Sequence, residues 1–292
     1  MFSLIANLKK KNKNFHKKKL NEKINLYIEK VSEVISQKRV INFLHSGHLG
    51  DLINSLPVIK EIAKKSECNL YINLEKKINN TSIDSLHPSK GYFLNSGSYE
   101  KILPLLKKQN YLTKVKIFKD ELIDIDLDYF RELPINFNID SIRWYFHLTG
   151  VNPDLKDPYI QNIDEDIKYK NCIIFMRSMR RQNEHISFRF LEKYQNLLFI
   201  GLHNEYLDLK KQIKNLEFHE CKNFLEMAQI IQSSKLFIGN LSFGYTIAEG
   251  LKKPRLLESY LDFPLVYPNG KSGYEFYFQT HFEKYVKNFM NN

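Results

Sequence analysis

An aspartate stands where a predicted strand gives way to a predicted helix, in the segment "INFLHSGHLGDLINSLPVIKEIA" from Ile41 to Ala63. Asp51 follows a loop whose two glycines let a ligand approach the backbone closely. A carboxylate in this place can cap the helix, or it can face a cleft and take a proton from a substrate hydroxyl. The residue types alone leave both roles open. The loop residues that would share such a cleft are His45, Ser46, Gly47, His48 and Gly50.

Two further turns carry groups that can bind an anion. In "IFMRSMRRQNEHISF" three arginines follow a predicted strand, and their guanidinium groups can bind phosphate oxygens in pairs or belong to a solvated basic loop. In "LFIGNLSFGYTIAEGLKKP", Leu236 to Pro254, a strand leads into a helix of small residues, whose first N–H groups suit a pyrophosphate. The residues expected at this anion site are Arg177, Arg180, Asn240, Ser242, Gly244 and Thr246.

Apolar runs alternate with helical patterns along most of the chain. In the first half the predicted strands are 40–45, 68–74 and 114–118, and the predicted helices are 24–35, 51–65, 99–108 and 140–148. In the second half the predicted strands are 172–176, 197–201, 217–219, 236–239 and 255–258, and the predicted helices are 188–194, 205–213, 224–232 and 244–251. This alternation is typical of a parallel α/β sheet in each half.

The predicted fold class is therefore α/β, with two doubly wound Rossmann-like domains that face a cleft. Residues 1–38 are predicted to form a basic helical extension, residues 39–155 the first domain and residues 167–292 the second, joined by the polar stretch from Gly150 to Asp166. Ligands of open parallel sheets bind beyond the carboxyl ends of the strands. All three turns lie at such ends, so we expect them to meet in the cleft.

The composition describes a folded protein with a surplus of positive charge. Hydrophobic residues make up 43% of the chain, and 44 basic against 33 acidic residues leave a net charge of +11. Such a surplus favours anionic partners. Eight of the lysines, however, lie between Lys9 and Lys23, without the interleaved aromatic residues of a nucleic-acid stacking platform. Nucleic acid is therefore not an expected partner.

The amino-terminal segment and the cysteines bear on where the protein acts. No run of 18 apolar residues is present, so no membrane-spanning helix is predicted. The start "MFSLIANLKKK" has its apolar part before its lysines, which is typical of a short interfacial anchor; a solvated basic tail is the alternative.

Three widely separated cysteines indicate reduced thiols in a cytoplasmic protein, with no disulfide or metal site. We expect a cytoplasmic protein that contacts the inner face of the membrane.

Two of the segments resemble a known family. "GHLGDLINSLPVIK" resembles the "GD…LP" segment of the ADP-heptose:lipopolysaccharide heptosyltransferase type, carbohydrate-active family nine, and "IGNLSFGYTIAEGLKKP" resembles that family's carboxyl-terminal "GNDSGPMHLAAALGKP"-like turn. The resemblance implies a GT-B fold. It also implies an inverting transfer, without metal or cofactor, from a nucleotide-diphosphate sugar to a bacterial surface glycan, its precursor or a glycolipid acceptor.

The resemblance assigns roles to particular residues. Asp51 falls on the family's aspartate, the general base there, and Ser242 falls on the hydroxyl residue of the donor-phosphate turn. Either Arg177 or Arg180 would meet the diphosphate. Glu249 replaces an alanine and could reach the donor ribose or lie on the surface. The family's aspartate, glycine and histidine are replaced by Leu241, Phe243 and Thr246.

Two other functions stay open at this point. A non-catalytic relative would bind a nucleotide sugar without transferring the sugar. A Rossmann-type nucleotide- or cofactor-binding enzyme would use Glu75, just after the second strand, to hold a ribose. The first loop, however, has the spacing G-x-x-G rather than the G-x-G-x-x-G of dinucleotide sites.

Residues 1–23 are predicted to bind anionic membranes, since each lysine near such a surface contributes about 1 kcal/mol. The full chain should sediment with vesicles containing phosphatidylserine at low salt and dissociate at high salt. A chain without residues 1–23 should stay in the supernatant, and equal partition of the two chains would contradict the prediction.

Overall fold

Two parallel sheets, one in each half of the chain, carry the fold. In a computed structural model of the protein, the described residues are 21–78, 91–132, 139–262 and 265–291. All neighbouring strands within the two sheets run parallel. The predicted α/β class with a parallel sheet in each half is confirmed.

The first sheet has the strand order β3-β2-β1-β4. Its strands are β1 (Val40–His45), β2 (Glu67–Ile72), β3 (Lys114–Ile117) and β4 (Ile125–Asp126). The helices of this half are α1 (21–37), α2 (Leu49–Ile62), α3 (Ser96–Lys107) and α4 (Arg143–Thr149). The helix α2 continues past Pro57, although proline lacks the N–H group that would donate to the preceding turn.

The second sheet has the strand order β10-β9-β8-β5-β6-β7. Its strands are β5 (Ile173–Met176), β6 (Leu197–Ile200), β7 (Glu217–His219), β8 (Leu236–Gly239), β9 (Arg255–Glu258) and β10 (Gly273–Phe276). The helices are α5 (His203–Lys210), α6 (Phe224–Ser233), α7 (Phe243–Leu251) and α8 (Gln279–Asn291). In both halves the first strand lies between the second and the fourth, which is the doubly wound order.

The sequence-based elements and the observed ones differ in a few places. The segment predicted as a helix at 188–194 forms a 3₁₀ helix, Arg189–Lys193, instead. The elements β4, β10 and α8 were not predicted. The strand β4 has only two residues, too few for an alternating pattern to be recognised.

The amino-terminal helix α1 packs against the first half. Val31 is fully buried, and the Tyr27 hydroxyl donates to the carbonyl oxygen of Asp126 at 3.2 Å and accepts from its N–H at 3.0 Å. The rings of Tyr27 and Tyr129 stack with centroids 3.8 Å apart. The described part of the predicted extension is thus joined to the first sheet. Residues 1–20, with most of the lysine-rich arm, lie outside the described residues.

Side chains from both halves form one continuous buried cluster, which includes Leu56 of α2 and Ile247 of α7. The helix α2 packs on α7, and α3 packs on α6. At the first contact, a Cβ atom on Gly50 would lie 3.7 Å from the Cγ2 atom of Thr246. The segment predicted as a linker takes part as well, since the N–H groups of Tyr159 and Ile160 donate to the Gly250 carbonyl oxygen at 2.9 and 3.0 Å. The carboxyl end of one sheet is thereby held against that of the other.

Candidate functional site

Each sheet has, at its carboxyl edge, a point where the strand order reverses, and we call the region beyond this point its crevice. In the first half the crevice lies between the loops that follow β1 and β4, and in the second half between the loops that follow β5 and β8. Doubly wound sheets bind their ligands at such crevices. The contact between α2 and α7 brings the two crevices together, so the candidate site is the space that they share.

Asp51 lies in the first turn of α2 and does not cap the helix. The capping position is His48, whose side chain makes no capping hydrogen bond. The Oδ2 atom of Asp51 instead accepts a hydrogen bond from Arg131 Nη2 at 2.8 Å, and 27% of the Asp51 side chain is exposed. A carboxylate in the first turn also favours the helix dipole. Asp51 therefore faces the crevice, held by an ion pair rather than by capping.

Arg131 joins Asp51 to a second carboxylate, Asp128. The Nε atom of Arg131 donates to Asp128 Oδ1 at 3.1 Å, and the Asp128 side chain is 2% exposed. The guanidinium lies between two aromatic rings, with its Cζ atom 4.7 Å from the centroid of Phe93 and 4.7 Å from that of Phe130. These contacts hold the Arg131 guanidinium in one position, and its ion pair in turn holds the Asp51 carboxylate.

The Gly47 loop is fastened to the same cluster. The Ser46 N–H donates to Asp128 Oδ2 at 2.7 Å, and Arg131 also donates to the Gly47 carbonyl oxygen. Gly47 has a φ of +99°, and a Cβ atom there would lie 2.9 Å from the Phe93 carbonyl oxygen. Only glycine fits both conditions. The loop is therefore built to support the aspartate beside it.

Charge around Asp51 keeps its carboxylate ionised. Burial opposes the ionisation, but the Arg131 guanidinium and then His48 outweigh burial and hold the pKa of Asp51 below its ordinary value. Burial lowers the pKa of Arg131, but the charges of Asp51 and Asp128 outweigh burial and raise it. At neutral pH the site holds an ionised aspartate.

The two histidines of the loop differ in their access to the crevice. His45 is fully buried; its Nδ1 accepts from the Gly47 N–H at 2.8 Å and its Nε2 lies 2.9 Å from the Tyr145 hydroxyl. Since Nδ1 accepts, the ring is neutral with its proton on Nε2, and burial lowers the pKa of His45 accordingly. Asp128, 3.8 Å from Nδ1, is therefore not an ion-pair partner of this ring. His48 is partly exposed, and its pKa is lowered by burial and, from the other half, by Arg180.

The turn after β8 offers a helix terminus to the crevice. Ser242 is the capping residue of α7 but makes no side-chain capping bond. Its Oγ atom is buried and has no hydrogen-bond partner among the described residues. The first N–H groups of this nine-residue helix have no partner within the helix, and such groups beside a hydroxyl can bind an anion.

The two candidate arginines of the second half have different positions. Arg177 is buried and binds Glu258 through Nε and Nη2 at 2.6 and 2.7 Å, and its Cζ atom lies 4.8 Å from the centroid of the Phe188 ring. This pairing occupies the Arg177 guanidinium within the fold. Arg180 is partly exposed, and its charge acts both on His48 of the first half and on Glu205 of the second. Of the two, Arg180 is the one that suits an anion.

Other predicted anion-site residues support the turn from behind. The amide of Asn240 accepts from the Ser178 N–H at 2.9 Å and donates to the carbonyl oxygens of Ser178 and Arg180, both at 2.9 Å. It therefore holds the arginine loop. Gly244 packs directly on Met176, and Thr246 is buried with its hydroxyl donating to the Phe243 carbonyl oxygen at 2.7 Å. These side chains shape the crevice without facing it.

Glu249 is neither on the surface nor directed at a ribose. It is 4% exposed, and its carboxylate accepts from Arg255 Nε at 2.5 Å, from the Asn269 N–H at 3.1 Å and from Lys252. The other ribose candidate, Glu75, accepts from the N–H and hydroxyl of Ser96 at 2.9 and 3.0 Å, at the start of α3. Both carboxylates are committed to the fold, which weakens the cofactor-binding alternative.

Sequence reasoning did not identify Arg131, Asp128 or Tyr145. The segment "IDIDLDYFRELP" offered one signal, an aspartate and an arginine three residues apart, but its alternating acidic pattern did not show that the segment follows a strand. Among the described residues, no three His, Cys, Asp or Glu side chains are grouped as a metal site would require. In the same part of the chain, no helix has the length and apolar character needed to cross a bilayer.

The chain is similar to known proteins in its structure but not in its sequence. No family model and no curated protein matches the chain. A glycosyl transferase of family 9 from Veillonella parvula superposes with a TM-score of 0.55 at 11% identity, covering 87% of this chain and 89% of that one. Escherichia coli heptosyltransferase WaaC with ADP superposes with a TM-score of 0.53 at 11% identity, covering 86% and 99%.

A third similar structure is the dodecameric iron-containing heptosyltransferase TibC in complex with ADP-D-beta-D-heptose, with a TM-score of 0.52, 12% identity, and coverage of 81% of this chain and 63% of that one. All three are glycosyltransferases of the type that the two sequence segments resemble. At this level of identity the likeness concerns the fold. The chain therefore has the GT-B-like fold of the family-nine heptosyltransferases.

Replacing Arg131 with glutamine is expected to raise the pKa of Asp51 relative to the wild type, because burial then acts without the guanidinium. It also leaves Asp128 as a buried charge without its cation, which costs about 3–5 kcal/mol. A carboxylate whose pKa is lower in the folded state than in the unfolded state stabilises the fold above about pH 4. This stabilisation is lost as the pH falls through the pKa of the folded state. The difference in unfolding free energy between the wild type and Arg131→Gln should therefore be largest near neutral pH.

Urea unfolding at a series of pH values measures this difference, and carbon NMR of the carboxyl groups reports the pKa of Asp51. Arg131→Lys keeps the charge and serves as the control, with a pKa close to that of the wild type. A stability difference that stays constant from neutral to acidic pH would show that the ion pairs are not its cause.

Proposed function

We propose that this protein is a glycosyltransferase that moves a sugar from a nucleotide-diphosphate donor to a hydroxyl group of a bacterial surface glycan or its precursor. One observation carries the proposal: α2, whose first turn holds the ionised carboxylate of Asp51, packs against α7, whose amino terminus is the proposed anion site. The GT-B-like fold supports it, as do similar structures that are described as heptosyltransferases with ADP or ADP-heptose.

In this proposal Asp51 is the general base. Arg131 binds Oδ2, so the oxygen that receives the proton of the acceptor hydroxyl is Oδ1. As that proton leaves, the acceptor oxygen forms a bond to the anomeric carbon of the donor sugar. A base in this position contributes roughly 10²- to 10⁴-fold in rate. The low pKa of Asp51 keeps the base ready at neutral pH, although it also makes the carboxylate a weaker base.

The second half stabilises the leaving group. As the bond between the anomeric carbon and the diphosphate oxygen breaks, negative charge grows on the diphosphate. The N–H groups at the start of α7, the Ser242 hydroxyl and the Arg180 guanidinium supply the positive potential that this charge needs. We propose that these groups take the part played by a divalent cation at other sites.

A single displacement with inversion is the stereochemistry that we propose. Retention by double displacement needs a second carboxylate that reaches the anomeric carbon as a nucleophile. The neighbouring carboxylate, Asp128, is buried and already accepts from Arg131 and the Ser46 N–H. With Asp51 on one side of the sugar and the diphosphate on the other, attack from the opposite face follows. The acceptor class fits a lipid-linked glycan, which the lysine-rich arm, residues 1–23, would help to reach at the cytoplasmic face of a membrane.

Ser242→Asp is expected to abolish diphosphate binding without harming the fold. Aspartate caps a helix as well as serine does, so the melting temperature should stay at or above that of the wild type. A carboxylate about 4 Å from a phosphate charge is repelled by about 4 kcal/mol near a protein surface, so affinity for ADP or UDP should fall more than tenfold. Calorimetry measures this, with Ser242→Asn as the neutral capping control. Unchanged affinity in Ser242→Asp would place the diphosphate elsewhere.

Asp51→Asn is expected to lower turnover by about 10² or more while nucleotide affinity is retained. The measurement is nucleoside diphosphate release from the nucleotide sugar that the wild type uses. Asp124→Asn removes another paired aspartate of the same half, which binds Lys38, and should leave turnover unchanged. Near-normal turnover in Asp51→Asn would end the general-base role. Nucleotide-sugar binding by the wild type with no turnover would instead favour the non-catalytic relative.

A further inference from the structure

A second cavity, of about 300 Å³, lies beside the diphosphate turn. It opens at the carboxyl ends of β9 and β10, and Leu241, the residue before Ser242, forms part of its wall. The loop that follows β5 reaches its wall, because Arg177 binds Glu258 and the Asn183 side chain donates to the Tyr277 carbonyl oxygen at 2.9 Å. The cavity adjoins the proposed anion site, but neither Ser242 nor Arg180 is among the described residues that line it.

The strand β10 divides the surface around this cavity into two faces. Tyr274 faces the helix α8, where its ring stacks on Tyr285 with centroids 5.1 Å apart. Glu275 and Tyr277, which flank the buried Phe276, line the cavity. Because side chains alternate along a strand, Glu275 and Tyr277 face away from the stacked rings of Tyr274 and Tyr285. His281, in the first turn of α8, also lines the cavity.

Charge makes the cavity unsuited to a phosphate. Among the described residues that line it, none is lysine or arginine, while Glu258 and Glu275 contribute carboxylates. The charge of Glu258 is compensated by Arg177, and Glu275 is exposed. An anionic group would meet a net negative wall. An uncharged ligand that can donate hydrogen bonds to a carboxylate is the better match.

Aromatic side chains dominate the rest of the wall. Tyr260, Tyr267, Tyr277, Phe278 and His281 line the cavity, and at its rim Phe278 is 63% and Tyr267 39% exposed. Exposed apolar side chains grouped around a concavity mark a ligand groove. Aromatic faces provide apolar contact, and tyrosine hydroxyls and Glu275 provide hydrogen bonds. A ligand with an apolar C–H face and a ring of hydroxyl groups satisfies both sets of groups.

We propose that this cavity is a subsite for one uncharged sugar ring. Its volume is at the lower end of the roughly 300–1000 Å³ found for small-ligand sites, which suits a single ring and excludes a whole nucleotide sugar. The choice of a sugar over other neutral ligands of this size rests on the proposed function. The ring belongs either to the acceptor glycan or to the transferred part of the donor, since the diphosphate turn is adjacent.

Saturation-transfer NMR with the full chain tests the subsite without requiring turnover. The probes are glucose, galactose, mannose, N-acetylglucosamine and a mannoheptose. At least one sugar should receive saturation from the wild type, and Phe278→Ala should weaken its binding by about three- to tenfold, the effect of losing one aromatic stacking contact. Tyr274→Ala removes an exposed aromatic residue from the opposite face of β10 and should bind as the wild type does.

Equal binding by the wild type and Phe278→Ala, or no binding of any of the five sugars, would overturn the subsite. Calorimetry with ADP and UDP separates this result from the proposed function, because nucleotide affinity should be the same in the wild type and Phe278→Ala. A tenfold loss of nucleotide affinity in Phe278→Ala would show a nucleobase site instead and would also overturn the proposal. Once donor and acceptor are known, the substrate whose KM rises in Phe278→Ala identifies the source of the ring.

Discussion

The packing of α2 against α7 is the constraint on which the candidate site depends. Each crevice on its own is an ordinary feature of a doubly wound sheet. Gly50 at the start of α2 lies against Thr246 of α7, and the buried cluster around this contact contains side chains of both halves. Because this contact is made by the first turns of two helices that follow β1 and β8, it sets the carboxylate of one half opposite the helix terminus of the other.

Pairing with carboxylates decides what each arginine does. Arg131, Arg177 and Arg255 all lie among buried groups, and each binds at least one carboxylate, namely Asp51 and Asp128, Glu258, and Glu249. A guanidinium removed from water needs such a partner, because its desolvation costs more than a hydrogen bond returns. The net charge of the chain is therefore a poor guide to the site. Most of the positive groups near the crevices are part of the internal structure.

The Arg131 ion pair has opposing effects on a base at Asp51. It favours the ionised form, so the base is present throughout the neutral range, and the aromatic rings of Phe93 and Phe130 keep the guanidinium in place. It also reduces the affinity of the carboxylate for a proton. Such a weak base is most effective when the acceptor hydroxyl is held close to it, because correct positioning then contributes to the rate where the low proton affinity does not.

The sequence by itself determined the class of the fold and the places where chemistry was to be sought. Buried strands such as Val40–His45 and Leu236–Gly239 are recognisable from continuous apolar runs, and the turns that follow them hold Asp51 and Ser242. Both facts are local, because a strand, its turn and the next helix are adjacent in the chain. The two-residue strand β4 lacked a pattern long enough to be recognised. The helix α8 was missed although Phe282, Val286 and Phe289 of its 13 residues have helical spacing.

Only the tertiary structure decided which side chains face the site. Arg131 is 80 residues from Asp51, and Glu258 is 81 residues from Arg177, so neither partner is visible in the neighbouring sequence. Arg177 and Arg180 are equivalent by residue type, yet Arg177 is buried and bound to Glu258 of β9, while Arg180 is partly exposed. The sequence allowed Glu249 to be a surface or ribose-binding residue, but in the structure its carboxylate accepts hydrogen bonds from Arg255 and Lys252. These hydrogen bonds and ion pairs join residues that are far apart in the chain and are brought together by packing. A pattern in the neighbouring sequence therefore cannot predict them.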